Sequence, residues 1–212
     1  HVNLPLGDNV AMRIAGASLN HDGYYNDGTG DQDVNALRAQ LLFEPSDTVS
    51  VRLSTDWTSL GGLGAGGSYV GLYRPTPPSA TNPAGSFTFI PVDFDPSEGL
   101  NSPASNAFRQ NNFFAPANAF YTALQGEQSL DSEYVGVHAE VNIETPVGEL
   151  TFIPAYRRST DDSAFYGPGF DFGNVNEVIN QYSAELRLAG SAGMVDYQVG
   201  GIWYNEDQTA VN

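Results

Sequence analysis

The stretch from Asn35 to Trp57, NALRAQLLFEPSDTVSVRLSTDW, limits the folds open to this chain more than any other. Leu37, Ala39, Leu41 and Phe43 alternate with Arg38 and Gln40. Beyond Pro45, Ser46 and Asp47, the residues Val49, Val51, Leu53, Thr55 and Trp57 alternate with Ser50, Arg52, Ser54 and Asp56. A period of two belongs to the β-strand, whose successive side chains point to opposite faces. Pro, Ser and Asp between two such runs favour a tight turn. The segment therefore reads as a β-hairpin with one apolar and one polar face. An apolar face of this kind either covers a soluble core or meets lipid.

The pattern recurs along the chain. Val10, Met12 and Ile14 oppose Ala11, Arg13 and Ala15. Val135, Val137, Ala139, Val141 and Ile143 oppose Gly136, His138, Glu140 and Asn142. ELTFIPAYRRS follows after the short turn TPVG. Tyr182, Ala184, Leu186 and Leu188 alternate with Ser183, Glu185 and Arg187, and MVDYQVGGIWYNED follows after SAG. The connections fall into two kinds that alternate. Those near Leu6–Asn9, Glu44–Thr48, Thr145–Gly148 and Gly190–Gly193 are short, and those near His21–Gln32, Ser59–Leu130 and Ser163–Asn176 are long. A soluble sandwich or solenoid has no reason to sort its loops in this way. A transmembrane barrel does, with short turns on one side of the membrane and long loops on the other.

Composition agrees and removes some alternatives. The net charge of −17, with no Lys among the basic residues, argues against a nucleic-acid partner, which needs a basic surface. The absence of Cys removes disulfides and thiolate metal sites. No apolar run reaches the roughly 18 residues of a membrane helix. The mean hydropathy of −0.28 does not bear on a barrel, because half of each strand faces away from lipid.

On the barrel reading, Leu41, Phe43, Val51, Leu53, Trp57, Val135, Val137, Val141 and Leu186 face lipid. Arg13, Arg38, Arg52, Asp56, His138, Glu140, Arg157, Glu185 and Arg187 face the lumen, and so many charges suit a wide, watered barrel better than a small packed one. Phe43 beside a short turn, and Trp57, Tyr156, Tyr182 and Trp203 toward the long loops, stand where an interfacial girdle belongs.

These residues resemble a known family. VNLPLGDNVAMRIAGASLNHDGYYND looks like an early barrel segment of TonB-dependent outer-membrane receptors, LRAQLLFEPSDTVSVRLSTDW like their next hairpin, and QYSAELRLAG with VDYQVGGIWYNED like a later pair. The resemblance implies an all-β fold in which 1–212 is one partial β-barrel domain, with a long extracellular loop at about 59–130. About seven full strands and the end of another are expected here, within a 22-stranded barrel whose plug domain and C-terminal strands are absent from this chain. It also implies a place in the bacterial outer membrane among lipid and lipopolysaccharide, and uptake of a scarce small-molecule ligand (siderophore, cobalamin or saccharide). TonB would be contacted through the plug. The rival readings are a passive porin-like channel and a soluble or surface β-sandwich module that binds carbohydrate or acts as an adhesin.

Ser59–Leu130 is too long for a plain connector, and loops of this length carry function or are disordered. Tyr69, Tyr73, Phe113, Phe114, Phe120 and Tyr121, with Tyr24 and Tyr25 of the preceding long loop, are the candidate ligand contacts, since aromatic faces bind flat or glycosidic ligands. FTFIPVDF suits a short strand pair or an apolar lid. The acidic run NHDGYYNDGTGDQD offers Asp22, Asn26, Asp27, Asp31 and Asp33 as oxygen ligands for Ca²⁺, but its spacing departs from the EF-hand. No other cofactor is implied. His1, His21 and His138 are scattered, Asp161–Asp162 sit at a loop edge, and no nucleophile, zinc or phosphate-loop motif occurs, so no enzyme is expected.

Overall fold

A computed structural model of the chain describes residues 1–112, 128–167 and 170–211. The strands are β1 (Val2–Gly7), β2 (Val10–His21), β3 (Gln32–Ser46), β4 (Val49–Gly61), β5 (Gly71–Thr76), β6 (Ser86–Pro91), β7 (Ser132–Thr145), β8 (Gly148–Gly167), β9 (Phe170–Ala192) and β10 (Val195–Val211). One helix, α1 (Pro103–Asn112), lies between β6 and β7. Eight strands form a single sheet in the order β1-β2-β3-β4-β7-β8-β9-β10, and β5 and β6 form a separate hairpin. Every pairing is antiparallel. The large sheet is thus a meander, interrupted once, where β5, β6 and α1 are inserted between β4 and β7.

The expected antiparallel strand pattern is present, and among the described residues the sheet does not close into a barrel. Within the described residues β1 and β10 each have a neighbour on one side only, so the sheet is open. One expected loop is also absent. Ser163–Asn176 is not a long connection, because β8 and β9 go on pairing through Ser163↔Val175 and Phe165↔Gly173 to Gly167↔Phe170. Its Gly and Pro suggest a loop, yet Phe165, Val175 and Val178 supply β-forming side chains on both arms. The resulting strands of 20 and 23 residues exceed the roughly 9–11 that cross a bilayer.

Register decides what each face presents. Met12, Leu41, Leu53 and Ala139 are successive cross-strand partners. Val10, Phe43, Val51, Val141, Phe152 and Leu186 form a parallel row, and Leu37, Trp57 and Val135 another. All the residues expected to face lipid fall on this one side. They form a band that runs from Val49 to Trp57 on β4, about 27 Å along the strand. None of the described residues covers the band. Leu41, Leu53 and Leu186 are 37%, 46% and 50% exposed. The buried apolar core of the described residues lies elsewhere. It consists of Tyr69, Leu72 and Phe108 in the insertion, with Ile90, Val92, Phe94 and Leu100 against them. A soluble sandwich buries its apolar face under a second sheet, and the described residues supply no second layer.

Candidate functional site

The opposite face gathers the charges. Asn3, Arg13, Gln40, Ser54, His138, Ala155, Ser183 and Tyr204 form one cross-strand row. Arg38, Asp56, Gly136, Arg157, Gln181 and Glu206 form the next. Arg52 pairs in register with Glu140, while Glu185 and Arg187 sit opposite Ile153 and Thr151. Every residue expected on the lumen side therefore shares this face.

Several of these charges are matched. Arg52 Nη2 donates to Glu140 Oε2 at 2.6 Å. Glu140 also accepts from Asn142 Nδ2 at 3.0 Å, and Asn142 Oδ1 accepts from Thr151 Oγ1 at 2.8 Å. Arg187 lies 3.6 Å from Glu185. Arg157 reaches over β7 to Asp56 at 3.3 Å. Gly136 makes that crossing possible: a Cβ there would stand 2.9 Å from Asp56 Oδ1. Arg13 and Arg38 form no ion pair among the described residues. The matched pairs remain half open to solvent. Arg52→Met is accordingly expected to change the unfolding free energy by less than about 1 kcal/mol in thermal or urea unfolding.

At the long-loop end the chain builds a tethered assembly. The Asp31 carboxylate accepts from Leu63 N at 2.8 Å and Gly64 N at 2.7 Å, and Gly30 N donates to Gly64 O at 2.8 Å. The Asp27 carboxylate accepts from Thr29 N at 3.1 Å, Thr29 Oγ1 at 2.7 Å and Asn101 N at 2.8 Å. Gly99 leaves room for it, since a Cβ there would lie 2.1 Å from that carboxylate. Asn26 Nδ2 donates to Glu98 Oε1 at 2.9 Å. Gln128 Nε2 donates to the carbonyls of Leu63 and Ala65 at 2.7 and 2.8 Å. Ser129 and Ala164 exchange backbone bonds, which joins the end of the insertion to β8.

Asp27 and Asp31 thus anchor backbone N–H groups. Asp33 Oδ1 accepts from Asn35 Nδ2 at 3.2 Å, and Asp22 is exposed. The acidic run is not folded into a cluster: among the described residues no three His, Cys, Asp or Glu side chains gather where a metal ion could sit. Farther along, the Ser97 backbone N–H and hydroxyl hold the Asp95 carboxyl below the usual carboxylate range.

The aromatic candidates separate. Tyr69 is buried, its ring 5.9 Å from that of Phe108, and it packs within the insertion. Tyr25 is half-buried against Gly30 and Gly66. Tyr24 is exposed and stacks beside His21 at 5.1 Å. Tyr73 is 69% exposed and pairs with Phe89, ring centroids 5.1 Å apart. With Phe87 and Pro75 opposite each other in register, this hairpin carries an exposed aromatic surface. FTFIP therefore pairs with GLYRPT and not with the following VDF. Phe113, Phe114, Phe120 and Tyr121 lie outside the described residues.

Helix α1 was not expected. Its signal is nonetheless in the sequence: Ser102 Oγ accepts from Ser105 N at 3.2 Å as an N-cap, and Pro103 takes the first helical position. No family model, curated protein or solved structure matches this chain. No helix among the described residues is long and apolar enough to cross a membrane.

Proposed function

We propose that this chain forms part of the wall of a TonB-dependent outer-membrane receptor, a 22-stranded barrel that takes up a scarce ligand. The observation that carries the proposal is the two-sided sheet, with an uncovered apolar band on one face, ion-paired charges on the other and the long insertion at one end. Backbone groups within a bilayer must be satisfied internally, and an antiparallel meander satisfies them strand by strand. The apolar face then meets lipid and the charged face a watered lumen. The ligand is a small molecule such as a siderophore, cobalamin or a saccharide. It is held first by the loop assembly, where Tyr24 and the Tyr73–Phe89 surface offer exposed rings. Displacement of a plug through TonB admits it. The wall positions and encloses, and performs no covalent chemistry.

The test uses single cysteines in the complete protein in its membrane. Those at Leu53 and Val137 are expected to react with a lipid-soluble maleimide and resist a water-soluble one, and those at Arg52 and His138 the reverse. Equal reactivity on the two faces would sink the membrane reading in favour of a soluble module. Uptake that survives collapse of the proton gradient would replace the receptor with a passive channel.

A further inference from the structure

Where the apolar band meets the long loops, one residue breaks its pattern. Arg158 pairs in register with Val135 and Asn180, so it shares a row and a face with Leu37, Trp57 and Val135. The chain has 8 basic residues, all Arg. Arg13, Arg38, Arg52, Arg157 and Arg187 are on the charged face, and Arg74 and Arg109 are in the insertion. Among the described residues Arg158 is thus the single cation on the apolar side. It is exposed and forms no ion pair there.

Its neighbours complete the setting. Tyr156 and Tyr182 stack below it, ring centroids 4.9 Å apart. Tyr156 Oη donates to Asn180 Oδ1 at 2.9 Å. That bond fixes the amide and leaves Asn180 Nδ2 with no acceptor among the described residues. Register partners have Cβ atoms about 5 Å apart, so the guanidinium fork and the amide N–H groups can share one tetrahedral oxyanion. No carboxylate pairs with Arg158 among the described residues. Glu133 accepts from Trp57 Nε1 at 3.1 Å, and Asp207, the register partner of Asn180, bounds the seat on the side away from Arg158.

We propose that Arg158 and Asn180 seat the phosphate of a membrane-lipid headgroup at the upper edge of the band. The inference rests on the reading that the apolar face meets lipid. A cation on that face costs least at the interface, where its stem lies along apolar surface and its head reaches the phosphate layer. Charge complementarity selects the occupant, because Arg158 is the single cation on the lipid-facing side among the described residues and no carboxylate pairs with it there.

The test uses the complete protein in detergent, with dioctanoyl phosphatidylglycerol as the probe and native mass spectrometry as the readout. Arg158→Gln is expected to bind the lipid about fivefold more weakly than the parent. Arg158→Lys should retain most of the binding, and Asn180→Leu should lose part of it. Unchanged retention in Arg158→Gln would overturn the proposal, as would displacement of the lipid by an equal concentration of inorganic phosphate. A bimane label at position 137, read against nitroxide-bearing lipid in nanodiscs, separates the two levels. Quenching there with unchanged lipid retention removes the headgroup site alone, whereas absence of quenching removes the membrane reading beneath it.

Discussion

Leu41→Arg is expected to prevent stable insertion of the protein, whereas Leu42→Arg, one residue away, is expected to be tolerated. The two leucines are adjacent, chemically identical and equally exposed at 37%. They differ only in face. Leu41 lies between Met12 and Leu53 in the middle row of the apolar band. Leu42 lies between Ala11 and Arg52 on the charged side. An arginine at the bilayer midplane on the lipid face of a barrel costs about 2–4 kcal/mol. On a watered wall the same side chain meets solvent, and repulsion from Arg52 is softened because Glu140 already holds that guanidinium. The expected gap is at least about 2 kcal/mol, roughly a thirtyfold difference in the folded-to-unfolded ratio on refolding into phosphatidylcholine vesicles across a urea series. In a soluble sheet with both faces wet the two variants would behave alike. Equal midpoints would therefore remove the assignment of faces.

Those two leucines also show how far the sequence could be read. Strict alternation assigned Leu41, Phe43, Val51, Leu53, Val135, Val137, Ala139 and Val141 to one face, because a half-buried strand needs only a period of two to declare its sides. The hairpins β1–β2, β3–β4, β7–β8 and β9–β10 were legible from their short turns, which bring neighbouring strands together. Leu42 breaks the alternation, and only the register with Arg52 gives its apolar side chain a place on the charged face. The pairing of Arg157 with Asp56 was equally out of reach, because it spans a strand and depends on the missing side chain of Gly136. In the loops, Asp27 and Asp31 have the composition of cation ligands, and their carboxylates accept from backbone N–H groups 32 to 74 residues away as well as, for Asp27, from the local Thr29. Sequence shows which side chains can accept hydrogen bonds. It does not show which distant peptide groups will be brought to them. Ser163–Asn176 failed for a related reason: glycine and proline mark loops on average, and the cross-strand partners that override them are visible only once β8 and β9 are paired.

Asp31→Ala is expected to release the insertion from the first long connection while leaving the sheet intact. Its carboxylate accepts from two successive backbone N–H groups, those of Leu63 and Gly64, at the point where the chain leaves β4. Hydrogen bonds to a charged acceptor contribute about 1.5–3 kcal/mol each, and their loss leaves two part-buried donors without partners. Gln128 and Leu130 still hold the neighbouring carbonyls, so the segment opens locally rather than falling away. A loss of about 3 kcal/mol in local opening raises the open population by about a hundredfold. Limited proteolysis of the complete protein should report this as faster cleavage at Leu63, with cleavage in the β-ladder unchanged. Asp31→Asn keeps one acceptor oxygen and should fall between the two, and Asp22→Ala, at an exposed position, should behave as the parent. Loop and ladder becoming cleavable together would mean that Asp31 supports the wall itself. A cleavage rate at Leu63 unchanged in Asp31→Ala would mean that the remaining contacts hold the insertion unaided, so that the acidic run is dispensable to it.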